Sequence, residues 1–180
     1  RRQRQMCIRD SYTDTDGNAR YENGKCSLNE SEHYLIIPSF SPENKPFGYH
    51  SAITANAAMD ISAAKDVINM YTEMLNYTKV DGYEQAVSEA EALLRMLPDF
   101  MYDESGAVKE WSMKEYGENN AHRHISHLYP AWPALQTQHD SKLAAACRQA
   151  VINRNRENKG KDDTASHGWI HKALVEARLK

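Results

Sequence analysis

Apolar residues along this chain change from scattered to helically spaced near residue 57. Ala57, Ile61, Ala64, Ile68, Tyr71 and Leu75 recur at three- and four-residue steps, which predicts a helix with one apolar face through about Lys79. Asp81-Gly82 breaks that run. Tyr83, Val87, Ala90, Leu94 and Leu97 then mark a second helix, stopped by Pro98. A third is expected over residues 141–155, with Leu143, Ala146, Cys147, Ala150 and Ile152 near one side. A fourth begins near Gly168, carries Ile170, Ala173, Leu174 and Ala177, and is still in phase at Lys180.

Ahead of residue 57 the pattern is different. Residues 12–26 are polar, with Asp16-Gly17 and Asn23-Gly24 as turn signals, and read as a hairpin or irregular loop. Residues 34–37 form a short apolar run suited to an isolated strand. Pro38, Pro42 and Pro46 keep residues 39–49 out of helix, so that stretch is expected to be loop. Between the second and third helices lies a connection of residues 99–139, holding Trp111, Trp132, His122, His124 and His127. A loop that long inside a compact domain is usually functional. Short turns alternating with long polar loops suit helical hairpins set around an axis, with the long loops at one end. A four-helix bundle is the alternative, and the loop lengths argue against it. The predicted class is all-α, with a short strand or hairpin near the N-terminus.

The opening RRQRQMCIRDS has no periodicity and resembles translated adapter sequence, so residues 1–11 are set aside as non-native and residues 12–180 are taken as the domain. The chain does not begin with Met and shows no signal-peptide core, which says little for a fragment. With 41% hydrophobic and 26% charged residues, the composition is that of an ordinary soluble globular protein. A net charge of -3 with scattered Lys and Arg argues against nucleic acid as a partner. No apolar run approaches the roughly 20 residues needed to span a bilayer, so membrane insertion is not expected. The three cysteines, Cys7, Cys26 and Cys147, match no metal-finger spacing. Cys7 and Cys26 are the pair that could bridge, and free thiols are the simpler reading.

Four clusters carry candidate chemistry. In Ser41-Pro42-Glu43-Asn44, a carboxyl in a proline-stiffened loop suits a general acid, provided burial raises its pKa; a solvated turn glutamate is the plain alternative. In the run from Gly106 to Trp111, Glu110 beside Trp111 suits sugar binding, with the ring stacking on a pyranose and the carboxylate taking hydroxyls. A buried Trp beside a salt bridge reads the same way. His122, His124 and His127 have His-x-His-x-x-His spacing, open either to zinc or to imidazoles that hydrogen-bond substrate hydroxyls. Asp162 and Asp163, ahead of Thr164, Ser166, His167 and Trp169, would either cap a helix or activate water.

The order of these clusters resembles the catalytic domain of glycoside hydrolase family 95, the α-L-fucosidases and α-L-galactosidases. The matching stretches are PSFSPENKP, the Met59-Asp60 helix start, LPDFMYDESGAVKEW and NNAHRHISHLYPAWP, within a resemblance over residues 34–180. It implies part of an (α/α)6 toroid that cleaves glycans with inversion and needs no metal or cofactor. Inversion places an acid and a base roughly 6.5–9.5 Å apart. By this resemblance Glu43 is the general acid. The base is an aspartate of the later loop, Asp163 or Asp162, supported by two asparagines of an upstream motif that this chain lacks. Asn44, Glu110, Trp111, His122, His124, His127, Thr164, His167 and Trp169 would shape the sugar pocket. The loop reads DDTASHGW where many members read GGTGWS.

Two other functions fit the same toroid. In a glycoside phosphorylase, Thr164 and Ser166 would bind phosphate at a helix start. The other is a non-catalytic carbohydrate-binding piece. The parent protein would be secreted, periplasmic or at the cell surface. Alone, the 180 residues are expected to be inactive and poorly stable, because apolar helix faces would lack their neighbours.

Overall fold

The computed structural model of the protein describes residues 11–14, 19–21, 32–158 and 166–180. Among the described residues, five short strands precede the helices. β1 (Ser11–Thr13) pairs antiparallel with β2 (Ala19–Tyr21) on one side and β3 (His33–Tyr34) on the other. β4 (Ser39–Phe40) pairs with β5 (Ile53–Thr54), Ser39 opposite Thr54. The hairpin expected within residues 12–26 is therefore present, while the strand expected at residues 34–37 lies at His33–Tyr34. The stretch expected to be all loop opens with β4.

α1 (Ala58–Thr78) starts without a side-chain cap. Its orphan amides are met from outside the helix: Ala57 N–H donates to Ser39 Oγ at 2.8 Å and Ala58 N–H to the Glu110 carbonyl at 3.0 Å. α1 ends at Lys79, whose left-handed backbone turns its N–H back to Leu75. Gly82, at φ 78, supplies the second left-handed position before α2 (Tyr83–Met96), which stops ahead of Pro98. The two helices pack together as a hairpin.

α3 (Ser141–Asn158) is capped by Asp140, whose carboxylate accepts the Leu143 N–H at 2.9 Å. α4 (Ser166–Arg178) packs on α3. The main core joins these two helices to the long connection: Val108, Ile125 and Leu128 meet Leu143, Cys147, Ala150, Val151, Val175 and Leu179. That connection is irregular but contains two 3-10 turns, Ser126–Leu128 and Gln136–Gln138.

Three helix details differ from the sequence pattern. α4 stops at Arg178 and does not run on to Lys180. Its expected face is on the wrong side: Ile170 and Leu174 are exposed, as are Ala173 and Ala177, while Val175 and Leu179 are buried. Arg148 fixes that orientation by donating to the Leu179 carbonyl at 2.6 Å. Ile152 on α3 and Tyr71 on α1 also face solvent. Cys7 and Cys26 lie outside the described residues. Cys147 is a buried free thiol, pushed up to about 12 by burial. Among the described residues no helix is long and apolar enough to cross a membrane.

Candidate active site

Glu43 stands at the tip of a turn whose other residues are bound to the surrounding frame. Asn44 N–H donates to the Ser41 carbonyl at 2.7 Å and closes the turn. Asp60, in the first turn of α1, accepts from Ser39 Oγ at 2.5 Å and Phe40 N–H at 3.1 Å. Glu110 accepts from Ser41 Oγ at 2.7 Å and from the Asn44 side-chain amide at 2.6 Å. Ser126 Oγ donates to the Pro42 carbonyl. Asn119 completes the frame, exchanging side-chain and carbonyl hydrogen bonds with Asn44. Glu43 is left as the residue whose side chain reaches outward. Its carboxylate pairs with Arg123 and lies 3.5 Å from His124 Nε2.

Beneath the turn lies a fully enclosed polar cluster. Arg154, on the inward face of α3, donates to Glu110 at 2.8 Å and to the backbone carbonyls of Asn119 and His122 at 2.9 and 3.3 Å. Burial pushes the Glu110 carboxyl up, but the Arg154 guanidinium and the Ser41 hydroxyl outweigh it and hold it below its ordinary value. His127, 3.5 Å from Arg154, is driven down to about 4 by burial, with Arg154 adding to the effect and Glu110 opposing it. The imidazole Nδ1 faces the Arg154 guanidinium, which can only donate. Glu118 accepts the Glu110 N–H at 2.9 Å; burial lifts its carboxyl to about 7.

This geometry separates the residues expected around a sugar into distinct groups. Glu110, Asn44 and His127 are buried, and their polar atoms are engaged within the frame, so they form the floor under Glu43 instead of a sugar-contacting wall. Trp111 is fully enclosed, bridged to Ala57 and edge-on to Tyr116, and offers no open ring face for stacking. His122 and His124 lie side by side with ring centroids 5.3 Å apart, close to Glu43. His127 is turned into the core, so the three histidines do not converge; among the described residues no group of three or more His, Cys, Asp or Glu could hold a metal ion. Trp169 is exposed on α4 with the Lys172 ammonium over its ring. His167 lies in the first turn of α4. Asp162, Asp163 and Thr164 fall outside the described residues.

Glu43 itself departs from one expectation. A general acid was expected to be buried, yet its side chain is 61% exposed. Glu110 draws Ser41 and Asn44 inward, which leaves Glu43, at the tip between them, turned outward. Arg123, Arg154, Ser126 and Asn119 were missed by the sequence reading. Only Arg154 had a local signal, since it follows Cys147, Ala150 and Val151 at helical spacing on the buried face of α3.

Comparison with known proteins agrees with the motif order. The family model for the glycosyl hydrolase family 95 catalytic domain matches residues 4–180, which includes most of the segment set aside as non-native. A curated relative, alpha-L-fucosidase 2 of Arabidopsis thaliana, is 26% identical over 149 residues. That alignment covers 79% of this chain and 17% of the relative, so the chain spans a minor part of the protein it is similar to.

Proposed function

Because this chain belongs to glycosyl hydrolase family 95, we propose that it forms part of an (α/α)6 catalytic domain that removes α-linked L-fucosyl or L-galactosyl residues from glycans with inversion. Glu43 is the proton donor in this reading. One observation carries it: the turn of residues 39–44 is bound to Asp60, Glu110, Ser126 and Asn119 while Glu43 alone projects from it. A loop held this tightly positions one carboxyl at low entropic cost, as proton transfer to a glycosidic oxygen requires.

In the reaction, Glu43 gives its proton to the leaving oxygen as the glycosidic bond breaks. A water on the opposite face of the sugar attacks the anomeric carbon and gives up its proton to a carboxylate base, Asp163 or Asp162. The start of the loop that carries both aspartates supports this pairing. α3 ends at Asn158, whose amide donates to the His122 carbonyl at 3.2 Å, and His124 beside it is next to Glu43. His122, His124 and Arg123 are then the groups placed to meet sugar hydroxyls. In the full-length enzyme, Glu43→Gln is expected to lower turnover of aryl glycosides with poor leaving groups by about 10²–10⁴-fold while KM stays near its starting value. Near-normal turnover in that variant sinks the assignment.

A second reading draws on the exposure of Glu43 and its ion pair with Arg123. Both suit a carbohydrate-binding surface without catalysis. In that case Glu43→Gln weakens glycan binding and the parent protein shows no hydrolysis to lose.

A further inference from the structure

We infer that Glu110 is a positioning residue for Glu43, setting the pose of the Ser41–Asn44 turn from beneath, with Arg154 holding Glu110 in turn. The inference rests on the proposed role of Glu43 as proton donor. Glu110 was a candidate for sugar binding, and the geometry removes it from that role. Its carboxylate is 0% exposed and already accepts from Ser41 Oγ, Asn44 Nδ2 and Arg154 Nη2, at 2.7, 2.6 and 2.8 Å. A sugar hydroxyl has no route to it.

The placement of the contacts is what makes the residue a lever on Glu43. Ser41 is two residues before Glu43 and Asn44 is the residue after it, so one carboxylate clasps the turn on both sides of its tip. The clasp is chemically directional. A carboxylate only accepts, so both partners must donate to it. Donation also settles the Asn44 amide, leaving its Oδ1 to accept from Lys45 N–H at 2.9 Å and Asn119 Nδ2 at 2.9 Å. Glu110 is itself fixed through its backbone. Its carbonyl accepts from Ala58 N–H at the start of α1, and its N–H donates to Glu118. Motion of the 110 carboxylate therefore passes to the Glu43 Cα with little slack.

The test uses the full-length enzyme that contains these residues and compares Glu43→Gln, Glu110→Gln and Ser41→Ala. Each is assayed on phenyl and dinitrophenyl glycosides of the preferred sugar, alongside a thermal melt. A phenol needs protonation to leave and a dinitrophenol does not, so a displaced acid is felt selectively on the first. Glu110→Gln keeps the shape but offers a donor where Asn44 or Arg154 also donates. It is expected to lower kcat on the phenyl glycoside by about 10²-fold, with little change on the dinitrophenyl glycoside and in KM. Ser41→Ala leaves the Glu110–Arg154 pair intact, so it decides the matter if Glu110→Gln fails to fold; its selective loss is expected near 10-fold.

A selective loss in Ser41→Ala, shared by any folded Glu110→Gln, supports the positioning role. Equal losses on both substrates, or no loss, in folded variants whose Glu43→Gln counterpart is selectively impaired, overturn it and leave the assignment of Glu43 standing. Absence of any selective loss in Glu43→Gln overturns both.

Discussion

In the loop frame around Glu43, Glu110 and Arg154 are completely enclosed and Ser39, Ser41 and Asn44 each bond across to another segment, whereas the α1–α2 hairpin turns Val67, Met70, Met74 and Tyr77 to solvent. The irregular region is thus the better determined one. A helix satisfies its own backbone except at its ends, so its place in the fold is set mainly by burial of side chains. A loop has no internal ladder, and each of its polar groups needs a named partner when it is covered. Identity therefore matters residue by residue in the frame. In the hairpin it matters chiefly where the helix base meets that frame.

The largest effect separating the two regions is expected at Arg154. Arg154→Ala leaves the Glu110 carboxylate buried without its cation and takes one of the donors from each of the Asn119 and His122 carbonyls, at a cost of about 3–5 kcal/mol. Urea denaturation of the variant measures this, and a loss below about 1 kcal/mol would show the frame to be incidental to stability. Next in size is Ile61→Ala, at the fully buried base of α1, expected to cost about 2–4 kcal/mol. If Ile61→Ala proved as tolerable as an exposed change farther along α1, the helix would not be anchored where it touches the frame.

Sequence reading succeeded in proportion to how local the determining interactions are. All four helices were legible because periodicity, Gly82, Pro98 and the polar breaks are local signals. The inward face of α4 was not, since Ile170 and Leu174 make as good a stripe as Val175 and Leu179; only the wall formed by α3 and residues 107–131 chooses between them. In the site, Glu43 was singled out by motif order, and its exposure was missed. The partners that cause it are far away in sequence: Glu110 lies 69 residues from Ser41, and Arg154 44 residues from Glu110. Trp111 beside Glu110 looked like a sugar platform because burial cannot be read from two adjacent residue types.

The frame also carries a pH signature. Glu118 titrates at about 7 in the fold, against an ordinary 4.5, because burial favours its protonated form. Its contribution to stability is whole below about pH 4.5 and is lost as pH rises through 7. His127 runs the other way. Its folded value of about 4 lies below the ordinary 6.5, so its contribution is whole above pH 6.5 and is lost as pH falls toward 4. Each amounts to at most about 3 kcal/mol, and between pH 4.5 and 6.5 the two offset one another. Glu118→Gln keeps an acceptor for the Glu110 N–H and removes one of the opposed titrations. The variant is expected to gain up to about 3 kcal/mol over the parent at pH 8, to match it near pH 4, and to lose stability on acidification from pH 6.5. Denaturation curves at pH 4, 6 and 8 measure this; a constant offset between variant and parent at all three would show that Glu118 does not titrate in this range.

The smallest effect is expected on the outer stripe of α1, and it depends on context. Val67, Met70, Met74 and Tyr77 follow one another at helical spacing and are 57–89% exposed, while Ile61 and Leu75 of the same helix are buried. A helix apolar on both sides is the pattern of a segment enclosed within a larger fold. In these 180 residues Met74→Lys removes an exposed apolar side chain, so stability should change by less than about 0.5 kcal/mol and self-association, followed by sedimentation, should fall. If the proposed toroid closes over this stripe, the same substitution in the full-length protein places an ammonium against apolar neighbours and should cost about 2 kcal/mol or more. The contrast between the two contexts is the informative quantity. Equal, negligible effects in both would leave the stripe uncovered in the whole protein, and the hairpin would then be a true surface helix, unlike the enclosed frame it leans on.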